Sequence, residues 1–239
     1  MNLPVSEPEV GQPQVRPSVR EIDEGRVIFW RVCAWGALGV AVVGLGFLVD
    51  EPMTRLLTLE ASSGWQRVAN FASKLGEGWV VGLVGAIISG AMFLKQRYEV
   101  SRGVFLIGFT GLLTGLAATA LRSLVGRTRP DSSVPQGFYG VWHNSHWIIG
   151  RYEFGSCPSG HTATAMAVAV ALWLLYPRVG RFTFLYAWIV GWSRIAMGCH
   201  HFSDVVAAAV FGTFGAYLLL TWLEPRFKVW TRGLERKAL

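Results

Sequence analysis

Phe154-Gly-Ser-Cys-Pro-Ser-Gly-His161 ends a polar, aromatic loop and opens an apolar run, Thr162 to Tyr176. The run is long enough to be a buried or membrane helix. Pro158 is tolerated in a first helical turn, where its missing N–H would have no intrahelical partner anyway. Ser159 and Gly160 then offer backbone donors with little bulk. Free amides at a helix N-terminus, backed by the positive end of the helix dipole, form a ready anion site, and His161 stands beside it. Taken alone, the octapeptide reads equally well as a capped helix that happens to begin with a histidine.

The composition around it is that of a membrane protein. Of 239 residues, 52% are hydrophobic and only 15% charged, with 11 Trp and a mean hydropathy of +0.38. An average soluble domain carries about 25% charged residues. The net charge of +7 reads as lysines and arginines placed at membrane boundaries. No nucleic-acid-reading motif accompanies it, so nucleic acid is not an expected partner. Cys33, Cys157 and Cys199 show no metal-ligand spacing, and no zinc site is expected.

Residues 1–26 carry four prolines, scattered charges and no apolar period, and read as a disordered tail. Val27 to Val49 is apolar apart from Arg31, long enough to cross a bilayer that needs about 20 residues. Met53 to Leu75 places Trp65, Val68, Ala69, Ala72 and Leu75 on one helical face and Gln66, Arg67, Asn70 and Lys74 on the other, the pattern of a helix lying at the interface. Further apolar runs follow at Trp79–Leu94, Gly103–Leu121, Thr162–Tyr176, Phe182–Met197 and Val205–Leu223. The expected fold is therefore an all-α polytopic membrane protein, with six transmembrane helices and an interfacial helix between the first two. Residues 27–223 form the membrane domain and 224–239 a short basic tail.

Loop charges orient these spans. Segments 1–31, 95–102, 177–181 and 224–239 hold 14 Lys and Arg, whereas 50–77, 122–158 and 194–204 hold 8. The positive-inside rule then puts both termini in the cytoplasm, and Arg122 to His161 on the outer face together with Arg194 to Asp204.

Those outer segments carry the chemistry. In Arg122-Ser-Leu-Val-Gly-Arg-Thr-Arg129-Pro130 two arginines seven apart share a face if the helix continues to Pro130, and can clamp one anion. They also read as ordinary interfacial anchors. In Ser193-Arg194-Ile-Ala-Met-Gly-Cys-His200-His201-Phe-Ser-Asp204, His200 and Asp204 lie four apart. A carboxylate that accepts one imidazole N–H fixes the tautomer and leaves the other nitrogen free to attack. His201, three from Asp204, competes for the same role.

The three pieces together resemble the type 2 phosphatidic acid phosphatase family. Its motifs are a basic residue, six residues and Arg-Pro; then Pro-Ser-Gly-His; then Ser-Arg, five residues, His, three residues and Asp. Arg122 with Arg129-Pro130, Pro158 to His161, and Ser193-Arg194 with His200 and Asp204 match in order and spacing. Arg122 departs from the pattern, since the family usually has Lys there; the charge is kept but a compact ammonium becomes a planar fork.

The resemblance implies a phosphatase without metal or cofactor, acting on a lipid phosphate or diphosphate through a phosphohistidine. Carried over, His200 is the nucleophile, Asp204 orients it, and His161 protonates the leaving oxygen. Arg122, Arg129, Arg194, Ser159 and the Gly160 amide hold the phosphate oxygens. It also implies a bacterial inner (cell) membrane, with the site on its outer face. A lipid phosphotransferase using the same intermediate, or more remotely a transporter, are the alternatives. Phe138, Tyr139, Trp142, Trp147, Tyr152 and Phe154 in the outer loop either cap the substrate or form an aromatic belt. If His161 and His200 meet around one phosphorus, Cys157 and Cys199 come near enough for a bridge to be considered.

Overall fold

Alanine sets the packing. Ala163, Ala165, Ala167, Ala169 and Ala171 of one helix, α6 (Gly160–Leu175), are all wholly buried. Residues two apart point about 200° apart round a helix, so burial of the whole series means that α6 is enclosed on every side as far as Ala171, with Trp173 and Leu174 exposed beyond it. Its neighbours are α5 (Tyr98–Val125), α7 (Pro177–Ala196) and α8 (Phe202–Ala238). Before them come α1 (Val19–Leu48), α2 (Asp50–Leu57), α3 (Gly64–Lys74) and α4 (Gly78–Leu94), and between α5 and α6 a hairpin of β1 (Trp142–His143) and β2 (His146–Trp147). The computed structural model describes residues 19–238. It divides into Met1–Ala41, helical from Val19, and Val42–Leu239, which carries everything below.

Small residues inside are matched by large ones outside. Leu83 and Ile87 of α4, Leu116 of α5, Leu185 and Trp188 of α7, and Leu218 and Trp222 of α8 are all exposed. This inverts the soluble pattern and suits lipid, where helices gain nothing by hiding Leu from an equally apolar solvent and associate through close backbone approach. A Cβ at Gly85 of α4 would stand 3.0 Å from the Gly108 Cα of α5, so the two backbones touch. Nearby, Ser89 and Ser101 each donate to the other's carbonyl, at 2.9 and 2.8 Å.

Two helices, α5 and α8, are long and apolar enough to cross a membrane alone; counting the bent pairs α1–α2 (68°) and α3–α4 (52°) as one span each gives four. At 16 residues α6 is short, and α7 carries Arg178, Arg181 and Arg194, so neither meets that measure. The expected count of six spans exceeds what length and composition alone support.

Several expected boundaries move. Met53 to Leu75 is two helices separated by a turn, not one. Its expected apolar face divides: Ala69 and Ala72 are buried on the side that packs against α7, while Trp65, Val68 and Leu75 remain exposed. The alanines permit contact that the bulky residues would prevent. Helix α1 begins at Val19, inside the segment read as a tail, and residues before it lie outside those described. The basic residues after Leu223 continue α8 as helix to Ala238, with Pro225 inside it.

Candidate active site

The C-terminal ends of α5 and α7 meet the N-terminal ends of α6 and α8. Helix α5 stops at Val125, because Gly126 adopts a left-handed conformation (φ 62°) and returns its N–H to the Arg122 carbonyl at 3.1 Å. A Cβ there would lie 1.9 Å from the Gly140 carbonyl oxygen, so only glycine lets the returning loop cross. Pro130 therefore does not end the helix. Arg122 stays on the helix and Arg129 lies in a loop four residues beyond its end, so helical periodicity does not align them.

The loop brings Arg129 back nonetheless. Its guanidinium lies 3.9 Å from the Tyr152 ring centroid, its Nε donates to the Tyr152 carbonyl (2.9 Å) and its Nη1 to the Cys199 carbonyl (3.2 Å), one residue before His200. Arg194 is buried, with Nη1 on Ser73 Oγ (2.5 Å) and Nε without a partner among the described residues. Arg122, Arg129 and Arg194 lie close enough for their charges to act on one another. Among the described residues none of the three has a carboxylate partner. Three unneutralised guanidiniums gathered in a poorly solvated place make a strong anion site.

Ser159 caps α6, accepting from the Thr162 amide (3.5 Å) and the Thr162 hydroxyl (3.0 Å), which leaves its own O–H free to donate. Pro158 thus sits before the cap, after a cis peptide bond, and not in the first turn. The amides of Gly160 and His161 open the helix, where the i→i−4 ladder provides no acceptor. A Cβ at Gly160 would reach within 3.9 Å of Arg122 Nη1, which places this helix end beside the arginines. His161 lies near His200 and feels the charges of Arg194, Arg122 and Arg129.

His200 is completely buried in the turn between α7 and α8. The Arg194 carbonyl holds that turn, accepting from the amides of Cys199 (3.1 Å) and His200 (3.2 Å). The ring's Nδ1 lies 2.7 Å from the Ser156 carbonyl and 3.8 Å from Asp204 Oδ2. A carbonyl can only accept, so Nδ1 carries the proton and Nε2 the lone pair. Nε2 is itself buried and without a hydrogen-bond partner among the described residues. Burial, helped by Arg194 and Arg129 against the pull of Asp204, lowers the His200 pKa to about 4, so the ring is neutral at pH 7. The expected hydrogen bond from imidazole to Asp204 is replaced by one to the Ser156 backbone.

His201 is placed differently. Its Nε2 is held by the Thr128 carbonyl (3.2 Å) and Gln136 Oε1 (3.1 Å), and its amide donates to Asp204 Oδ2 (2.9 Å) as half of a capping box for α8. Asp204 also accepts from Ser156 Oγ (2.5 Å) and Arg127 Nη1 (2.6 Å). Ser156, Arg127 and Asp50 are members of this network that the motif spacing did not single out. Ser156 lay inside the opening octapeptide, and Asp50 was an acid at the end of an apolar run, itself a functional signal. Nothing in the pattern distinguished Arg127 from its neighbours.

Cys157 and Cys199 are free, buried thiols. Burial, with Asp204 adding to it, pushes Cys157 up to about 12. Cys199 Sγ faces Tyr152 and the Met197 carbonyl, so no bridge forms.

The family model of the PAP2 superfamily matches residues 103–228, more than half of the chain. The chain belongs to the PAP2 superfamily. Among relatives, the lipid A 1-phosphatase of Rhizobium johnstonii is 37% identical over 111 residues, covering 46% of this chain and 43% of that protein. The undecaprenyl-diphosphatase BcrC of Bacillus subtilis is 29% identical over 139 residues, 58% of this chain and 67% of that one. The chain spans about half the length of the lipid A 1-phosphatases it matches. The PAP2 fold is shared with the crystal structure of Aquifex aeolicus LpxE (TM-score 0.53, 21% identity, 73% of this chain and 96% of that one). It is shared too with a PAP2-type phosphatidylglycerolphosphate phosphatase from Bacillus subtilis (TM-score 0.56, 19% identity, 81% and 96%).

Proposed function

We propose that this PAP2 protein is a metal-independent phosphatase of lipid phosphates or diphosphates that works through a phosphohistidine on His200. The observation that carries the reading is the fixed tautomer of His200, a neutral buried ring with its Nε2 lone pair uncommitted beside three unpaired arginines. Nε2 attacks phosphorus while the bond to the leaving oxygen breaks. His161 donates a proton to that oxygen. The guanidiniums of Arg122, Arg129 and Arg194, the Ser159 hydroxyl and the Gly160 amide hold the equatorial oxygens, where phosphoryl transfer concentrates its charge. Positive charge developing on the His200 ring faces the Asp204 carboxylate 3.8 Å away. Water then attacks phosphorus as His161 takes a proton from it, the N–P bond breaks, and inorganic phosphate leaves.

The three guanidiniums stand where other phosphoryl-transfer enzymes use Mg²⁺. Purified protein is therefore expected to release inorganic phosphate from a panel of lipid phosphates and diphosphates in EDTA, with no alcohol acceptor added. Release only when an acceptor is present would instead mark a phosphotransferase. Lipid A, undecaprenyl diphosphate, phosphatidylglycerol phosphate and phosphatidate belong on that panel.

The same reading includes six membrane crossings, α3 at the interface, both termini in the cytoplasm of a bacterial inner membrane, and the active site on the outer face. Its support is the imbalance of 14 to 8 basic residues, together with the meeting of the α5, α6, α7 and α8 ends at one place. With Cys33 replaced, Ser145→Cys at the exposed hairpin turn should be labelled by an impermeant maleimide added to intact cells, and Glu99→Cys should not. The reverse pattern would invert the topology.

A further inference from the structure

Arg127 is the one arginine of its loop that is fully paired, and its partners lead out of the site. Nη1 bonds Asp204 Oδ1 (2.6 Å) and Ser203 Oγ (2.6 Å), while Nη2 bonds Asp50 Oδ2 (2.5 Å). The other oxygen of Asp50 accepts the Ser203 amide (2.8 Å). The guanidinium lies between two rings, 5.0 Å from the Phe47 centroid and 5.1 Å from that of Phe138. Asp50, Arg127 and Asp204 are all buried, and Asp50 sits at the joint between α1 and α2, far from the motifs in sequence.

We propose that Asp50 and Arg127 are positioning residues for the phosphohistidine chemistry, acting on His200 through Asp204. The inference rests on the phosphatase reading above. Arg127 offsets the cost of burying the Asp204 carboxylate and fixes its orientation. One guanidinium alone would also neutralise Asp204 and remove its attraction for positive charge on His200. Asp50 shares the Arg127 charge, so the three groups together keep one formal negative charge behind the His200 ring. The planar fork is needed because its donors reach both carboxylates and Ser203 at once, which a lysine ammonium on a single point cannot do. The joint between α1 and α2 thereby becomes part of the reaction machinery without touching the substrate.

The test uses full-length protein in detergent micelles, with p-nitrophenyl phosphate and a dioleoyl phosphatidate as probes. Turnover is expressed per site counted by binding of radiolabelled inorganic phosphate. Asp50→Asn is expected to lower kcat about tenfold to a hundredfold, the scale known for losing the outer partner of a metal-bound histidine, with KM and inhibition by phosphate unchanged. Arg127→Lys should lower kcat at least as far, and the double variant no further than Arg127→Lys alone, because Asp50 acts through Arg127. If Asp50→Asn does not fold, Arg127→Lys carries the same reading of kcat against KM. Folded Asp50→Asn with wild-type kcat per site, or losses that multiply in the double variant, would overturn the role. A wild type that releases no phosphate overturns the phosphatase reading and this inference together. An active wild type with inactive His200→Ala and unimpaired Asp50→Asn overturns only the inference.

Discussion

His200→Ala is expected to abolish phosphate release from every substrate, by roughly 10⁴-fold or more, the scale seen when a covalent nucleophile is removed. The loss should not depend on the leaving group, because without Nε2 no N–P bond can form. His201→Ala should behave differently. Among the described residues its ring bonds Thr128 and Gln136, and the bond to Asp204 comes from its backbone amide, which survives the substitution. The comparison requires kcat/KM for both variants after size-exclusion chromatography has confirmed that each folds. A His200→Ala protein that keeps its activity, beside an inactive His201→Ala, would move the nucleophile one residue along.

His161→Ala should be selective where His200→Ala is not. A general acid contributes roughly 10²–10⁴-fold, and most when the departing alkoxide is strongly basic. An alkyl phosphomonoester needs that proton, whereas nitrophenolate departs without one. The variant should therefore lose about 10²–10⁴-fold against the alkyl ester and far less against p-nitrophenyl phosphate, with a lipid diphosphate between them. Equal losses across all three substrates would show that His161 serves binding or packing and not proton transfer.

Much of this was legible one-dimensionally. The apolar runs at Trp79–Leu94 and Thr162–Tyr176 appear as α4 and α6 within one or two residues, because runs of such residues have few ways to satisfy their backbone in lipid other than a helix. The order and spacing of Arg122, Arg129, His161, Arg194, His200 and Asp204 pointed to the family that the comparison then showed. Helix ends were less legible, because they depend on contacts made elsewhere. Gly126, whose left-handed turn ends α5, admits no Cβ because Gly140 crosses it, and the Ser63 cap of α3 was a local sign of the break within Met53 to Leu75 that the apolar pattern masked.

The chain by itself singled out candidate side chains for the chemistry, since residue type and spacing limit what an arginine, histidine or aspartate can do. It left His200 and His201 open on physical grounds, both being within reach of Asp204 along one helical turn. Tertiary structure distinguished their surroundings through the Ser156 carbonyl, which comes from 44 residues away and fixes one tautomer of one ring. It likewise separated Arg127 from Arg129, two residues apart and of the same type, by giving Arg127 two carboxylates and Arg129, among the described residues, two backbone carbonyls and the Tyr152 ring. Charge in a poorly solvated interior is governed by what lies within a few ångströms, and those neighbours arrive from α1, α2, α7 and α8 only when the chain has folded.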